Sequence, residues 1–218
     1  MARNKYPEQT VEKIIEVSLR LFLERGYDHT TVQDIVDHLG GLTKGAVYHH
    51  FKSKEEIFEA VLDHMFRFKD EQVGAIMRDK RLNGREKLRC MIADSLGDPA
   101  QDQLFSIAPN MGTNTRFLGA QILQVREVSR AYIEPVIREG IADGSIQADQ
   151  PAELAEMFLF LINFWLNPLV FQMDAAQVAE KCRFCRNWLR LYGLEELLGD
   201  EDIVHLQRYC ELAAQRKK

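Results

Sequence analysis

The sequence is poor in the features that usually announce a chemistry. It has four cysteines in 218 residues, too few for a disulfide-stapled secreted domain, and nothing else suggests an oxidising compartment. It has no long apolar run. The most apolar stretch, residues 157–171, is interrupted by Asn163, Asn167 and Pro168 and falls short of the roughly 20 residues a spanning helix needs. The N-terminus lacks the apolar core of a signal peptide. A soluble, cytoplasmic chain with no membrane partner is expected. Motifs of catalysis are missing too: no P-loop, no H-E-x-x-H, no Ser-His-Asp order with supporting motifs and no readable carboxylate pair. Neither an enzyme nor a cofactor is expected. Basic charge is not in excess either. Against 28 Lys+Arg stand 33 Asp+Glu, giving a formal charge of −5. That excludes a broadly basic nucleic-acid coat but leaves room for a small local DNA-reading module.

What is present is ordinary globular composition, 46% hydrophobic and 28% charged, enough apolar surface to offset ordering entropy. The length allows one large domain or two smaller ones. Strand signals are scarce, and apolar residues recur at three and four, the helical spacing. Val11, Ile14, Ile15, Leu19 and Phe22 define one face of a first helix, which Gly26 ends after Arg25. Thr31 is placed to cap a second helix, with Asp34 at the capping-box position and Val32, Ile35, Val36 and Leu39 as its stripe. Gly40 and Gly41 break it. Thr43 caps a third helix, with Leu42 and Val47 spaced as a hydrophobic staple and Val47 and Phe51 facing the core. Ser53-Lys54-Glu55-Glu56 reads as the capping box of a fourth helix with a stripe of Ile57, Phe58, Val61, Leu62, Met65 and Phe66.

The charged segment from Arg78 to Arg89, with Gly84, reads as a loop. Helical segments follow at about 85–96, 100–109, 114–141, 151–171, 175–192 and 201–215, punctuated by proline and glycine. The expected fold is all-α: an N-terminal helix-turn-helix domain over residues 1–52, a connecting helix over 53–78, and a larger helical ligand-binding and dimerisation domain over 79–218.

A short helix, a glycine-containing turn and a second short helix make up the helix-turn-helix plan, whose second helix enters the major groove by its N-terminal end. Here that end holds Thr43, Lys44, Gly45 and Ala46, small or basic residues that let backbone approach a duplex. Tyr48 and His49 lie away from the Val47–Phe51 side and can donate to phosphates. Lys52 and Lys54 sit just beyond, and Thr30 and Thr31 are placed to hold the same backbone from the other side. Taken singly, each has a plainer explanation: Thr43 caps any helix, and surface lysines and histidines are usually just solvated.

Thr31-Val-Gln-Asp-Ile-Val and Thr43-Lys-Gly-Ala-Val-Tyr-His-His-Phe-Lys-Ser-Lys-Glu-Glu-Ile-Phe, with Ile14-Ile15, Leu21-Phe22, Gly26-Tyr27 and Thr30-Thr31 upstream, resemble the DNA-binding domain of TetR-type transcriptional regulators over about residues 8–66. The rest of the chain matches only in size, helicity and the form of Ile137-Arg-Glu-Gly-Ile-Ala-Asp-Gly. One departure is the turn Gly40-Gly41-Leu42-Thr43, one residue longer than the family's. The resemblance implies that Thr43, Lys44, Gly45 and Ala46 approach base edges and backbone, with Lys44 the foremost candidate for direct readout. It implies that Tyr48, His49, Lys52 and Lys54 hold phosphates.

It further implies a homodimer on near-palindromic operator DNA, two heads spaced about 34–36 Å apart, released when a small-molecule effector of unknown identity binds the larger domain. Candidate dimer residues are Phe160, Phe164, Phe184, Trp188, Leu189 and Tyr192. Candidate ligand residues are Phe105, Met111, Phe117, Gln121, Phe158, Asn163, Trp165 and Asn167, a mix suited to an apolar cavity with a few polar anchors. Asn163 and Asn167, four apart on an apolar segment, must hydrogen-bond to ligand, backbone or partner. Cys182-x-x-Cys185 lacks two further ligands for zinc and a βαβ context for redox work, so no metal is expected and the plain reading is two small residues one helical turn apart.

Two alternatives stand beside the repressor: an all-α protein-interaction module with a helix-turn-helix that does not read DNA, and a regulator responsive to thiol oxidation through Cys182 and Cys185. The charge splits unevenly. Residues 1–54 hold 8 basic and 7 acidic residues, and residues 55–218 hold 20 and 26. The acidity therefore belongs to the larger domain, and DNA binding is expected to depend on local contacts rather than long-range steering.

Overall fold

In a computed structural model, residues 7–65, 70–98, 101–102, 105, 112 and 115–215 are described. Among them there is no strand. The chain divides into two compact units, residues 1–67 and 68–218.

The first unit contains α1 (Pro7–Arg25), α2 (Val32–His38), α3 (Lys44–His50) and α4 (Lys54–Met65). Caps set their starts. Thr31 Oγ1 accepts from the Asp34 amide, and the Asp34 carboxylate accepts from the Thr31 amide at 2.8 Å, a complete capping box. Thr43 Oγ1 accepts from the Ala46 amide at 3.2 Å. At α4, Ser53 Oγ accepts from the Glu56 amide as expected, but Glu56 reaches back to the amide of Lys52, one residue further than a standard box. The core holds Ile14, Leu21, Phe22, Ile35, Leu39, Val47, Phe58 and Val61, each nearly inaccessible to solvent. Phe22, Tyr27 and Phe58 form an aromatic triangle, with ring centroids 4.8–5.7 Å apart. Gly40 and Gly41 both adopt positive φ, +61° and +107°, which only glycine reaches cheaply.

The second unit contains α5 (Asp70–Arg78), α6 (Gly84–Leu96), α7 (Thr115–Val128), α8 (Glu134–Asp143), α9 (Pro151–Phe160), α10 (Pro168–Phe171), α11 (Ala175–Leu189) and α12 (Asp200–Gln215). The segment expected as one helix over 114–141 is interrupted by a five-residue π-helical turn, Ser129–Ile133, between α7 and α8. Pro135 stands just beyond it. Proline lacks an N–H and crowds the carbonyl four residues back, so a widened turn accommodates it without breaking the rod. The segment expected over 151–171 divides likewise. A π-helical turn, Leu161–Trp165, ends α9, and Asn167 turns extended, with φ −80° and ψ 114°, before Pro168 starts α10.

Gly84, read from sequence as loop, is the first residue of α6, capped by Asn83 in a box with Glu86. The remaining free amides of that helix start are satisfied from elsewhere: Asp143 Oδ2 accepts from Gly84 and Ser145 Oγ from Arg85. Burial raises the Asp143 pKa, but hydrogen bonds from Ser145 and Gly84 outweigh it and hold the carboxyl below its ordinary range. The helices α6 and α8 meet backbone to backbone, because a Cβ on Gly84 would overlap Gly140. Beside that contact the buried Lys87 ammonium pairs with Glu139 at 2.6 Å and donates to the Met77 carbonyl. This arrangement gives the Ile137–Gly144 motif a structural meaning: Gly140 permits the approach and Gly144, at φ +81°, ends the helix.

Candidate nucleic-acid interface

The helix pair α2–α3 presents one side outward. Val47 and Phe51 point into the core, and Thr43, Lys44, Gly45, Tyr48, His49 and Lys52 are exposed. Spacing explains the split within α3: Lys44, Gly45, Tyr48 and His49 occupy the arc away from Val47, while Phe51, extended at the C-cap, turns inward and Lys52 lies beyond the helix. Tyr48, with 44% exposure, is a large aromatic left uncovered. The Lys44 ammonium lies 6.0 Å from its ring centroid, and the rings of His49 and His50 meet edge to face at 5.3 Å. At Gly45 an added Cβ would meet only Thr43 Oγ1, at 3.9 Å. The unit's own packing therefore does not require glycine there. Ala46 is half-buried beside it.

The other sequence candidates have internal work. Thr30 is fully buried, and its hydroxyl donates to the carbonyl of Gly26 at 2.9 Å and more weakly to that of Leu21 at 3.3 Å. Its side chain braces the approach to α2. Thr31 is exposed, with its hydroxyl engaged by Asp34. That bond is the main reason the Asp34 pKa is lowered, and Arg25 adds a weaker attraction at 3.7 Å. Lys54 Nζ donates to the Tyr27 carbonyl at 3.0 Å and sits 4.1 Å over the Tyr27 ring, and Tyr27 in turn donates to Glu55. Lys54 thus fastens α4 to the end of α1. Sequence reasoning passed over this role because a lysine after a cap looks merely solvated.

In the second unit the expected ligand residues are spread out. Phe105, Phe117 and Phe158 are buried, and Phe105 stacks on Tyr209 at 4.3 Å. Met111 lies outside the described residues. The amides have backbone partners: Asn163 Nδ2 donates to Leu159 O, Asn167 Nδ2 to Asn163 O, and Asn167 Oδ1 accepts from Leu169 N. Gln121 reaches Asn163 O at a long 3.4 Å. Trp165 is half-buried; Lys181 donates to its carbonyl and lies over its ring at 4.8 Å.

Of the expected dimer residues, Phe160 and Phe184 are exposed, 46% and 61%. Phe164 and Leu189 are buried within the unit, and Trp188 and Tyr192 are half-buried in edge contact with each other. Met157 and Leu191 are also exposed, 49% and 70%, three residues before Phe160 and seven after Phe184.

Cys182 and Cys185 are buried free thiols. Burial pushes their pKa values up to about 11 and about 12. Both stay protonated near neutrality, whereas the thiolate is the reactive form, so the geometry supports packing rather than oxidation sensing. Among the described residues no cluster of His, Cys, Asp or Glu is arranged to hold a metal ion, and no helix is long and apolar enough to cross a membrane.

Comparison with known proteins points the same way as the α2–α3 geometry. Residues 14–61 match the family described as bacterial regulatory proteins, tetR family. The chain is 31% identical over 156 residues to the HTH-type transcriptional repressor KstR2 of Rhodococcus jostii, covering 67% of this chain and 72% of that protein. It is 43% identical over 58 residues, 27% of each chain, to the HTH-type transcriptional regulator TtgR of Pseudomonas putida. Among solved structures, the reduced form of NemR from E. coli aligns with a TM-score of 0.59 and 17% identity, covering 92% of this chain and 96% of that one, a likeness of fold.

Proposed function

Since the chain belongs to the TetR family of bacterial regulatory proteins, we propose that this DNA-binding transcriptional regulator is a homodimeric repressor released from a near-palindromic operator by a small-molecule effector. The chain is not an enzyme, as its relatives are transcriptional regulators. The observation that carries the reading is the exposed arc of α3, where Thr43, Lys44, Gly45, Tyr48 and His49 face outward and the protein's own packing makes no demand on Gly45. In the proposed complex Lys44 donates to a base edge, with guanine its natural acceptor. Tyr48, His49 and Lys52 hold phosphates, and Thr31, Thr43 and Ala46 pack against the sugar–phosphate backbone. Thr30 and Lys54 contribute by fixing the helices that carry the others.

The proposed pairing surface centres on Met157, Phe160, Phe184 and Leu191. Large exposed apolar residues on neighbouring helical segments mark an association surface. Trp188 and Tyr192 fringe it, and Phe164 and Leu189 support it from below. The effector occupies the second unit among Phe117, Gln121 and Phe158, and residues 53–78 carry its effect to the head. Coupling is reciprocal: an effector that weakens operator binding must itself bind more weakly to the DNA-bound protein.

Gel shift with the DNA upstream of the protein's own gene tests the reading. A retarded band that weakens steeply with salt and carries two chains per operator is expected. Absence of binding to any genomic fragment at low salt would refute it.

A further inference from the structure

Two buried hydroxyls among the described residues have no hydrogen-bond partner, Ser18 and Ser129. Ser18 lies within the uninterrupted helix α1. Ser129 is placed differently. It is 1% exposed and opens the π-helical turn Ser129–Ile133. The π turn packs against α9, and α7 also meets α9. The register between these antiparallel segments follows from Gln121, which donates to the Asn163 carbonyl. Eight residues beyond Gln121 and eight before Asn163, Ser129 stands opposite Ala155. Ala155 is fully buried and the smallest side chain on that stretch of α9. The buried neighbours Val125, Val128, Leu154 and Phe158 are all apolar. Among the described residues no group accepts from or donates to this buried hydroxyl, and native proteins rarely keep such a group without a use.

We propose that Ser129 is the hydrogen-bonding anchor for the effector, and that the effector is an apolar molecule presenting one uncharged acceptor oxygen, such as a ketone or ester carbonyl, at the level of Ala155. The proposal rests on the effector-responsive reading above. The hydroxyl donates to the carbonyl, and the surrounding apolar side chains take up the hydrocarbon. A charged headgroup is disfavoured because these neighbours offer nothing to pair with it.

The test uses the full chain and two probes of matched shape, acetophenone and ethylbenzene, of which only the first carries a carbonyl. Ligand-observed NMR titration should show acetophenone binding the wild type roughly tenfold more tightly, the worth of one hydrogen bond in an apolar site. Ser129→Ala should abolish that preference, leave ethylbenzene binding unchanged, and melt at the same temperature or higher. Equal binding of the two probes to wild type, a preference that survives Ser129→Ala, or no binding of either at millimolar concentration would overturn the proposal. A variant melting well below wild type would also overturn it, by showing that the hydroxyl is already satisfied within the fold. Operator binding by the unliganded wild type is measured on the same preparation; its failure would count against the regulator reading alone, leaving the probe result to stand or fall on its own.

Discussion

Gly45 and Gly84 each sit in the first turn of a helix, one in each unit, and they are glycine for opposite reasons. A Cβ on Gly45 would meet only the Thr43 hydroxyl, at 3.9 Å, whereas one on Gly84 would overlap the backbone of Gly140. The same contrast runs through the polar residues. In the first unit Lys44, Tyr48 and His49 are exposed. In the second, Lys87, Asn163, Asn167 and Asp143 are tied to internal partners. On α3 the first unit leaves polar side chains exposed, while Thr30 and Lys54 are bonded within it. The second spends its polar groups on holding helices together, so the same residue types carry little functional signal there.

Matched substitutions would break or sharpen this contrast. The largest effect is expected for Gly84→Ala, which forces α6 and α8 apart and should cost about 3 kcal/mol of unfolding free energy, read by urea denaturation. Gly45→Ala should leave stability within about 0.5 kcal/mol of wild type or raise it, yet weaken operator binding at least tenfold. If both glycines proved to be stability mutants, the contrast would collapse. Next in size, Lys44→Ala should cost about 1–3 kcal/mol of operator affinity and relax specificity at one base pair, with melting unchanged. Lys52→Ala should instead weaken binding to all sequences alike and reduce the salt slope by about one.

Lys54→Ala separates the two roles within the head. It removes the bond to the Tyr27 carbonyl and the cation over the Tyr27 ring, and should lower stability by about 1 kcal/mol along with DNA affinity. The smallest effect concerns Asp143, whose folded pKa lies below its ordinary value. A depressed carboxylate stabilises the fold above the unfolded pKa, near 4, and that stabilisation disappears as pH falls through the lower folded value. Melting temperatures of wild type and Asp143→Asn should therefore differ at neutral pH and converge in acid.

The first unit was legible because its signals are local. Thr31 with Asp34, Thr43 with Ala46, and Val47 with Phe51 all act within one turn, so spacing alone reveals them. Thr30 was less legible, since its hydroxyl turns inward to Gly26 and Leu21, a direction that spacing does not encode. In the second unit, packing decided that Pro135 would be absorbed by a π turn and that Pro168 would start a new helix. Gly84 and Gly140 meet across a long stretch of chain, and no local pattern announces such a pair. The amides of Asn163 and Asn167 were correctly expected to be bonded, and their partners proved to be backbone groups one turn away.

The outward arc of α3 is proposed to read DNA. Fluorescence anisotropy with a labelled duplex from the upstream region of the protein's own gene tests it most directly, comparing wild type with the double variant Lys44→Ala/Tyr48→Ala at matched ionic strength. Binding by wild type and at least a hundredfold weaker binding by the variant, with identical melting curves, is the expected result. Equal affinity of the two proteins for the duplex would contradict it.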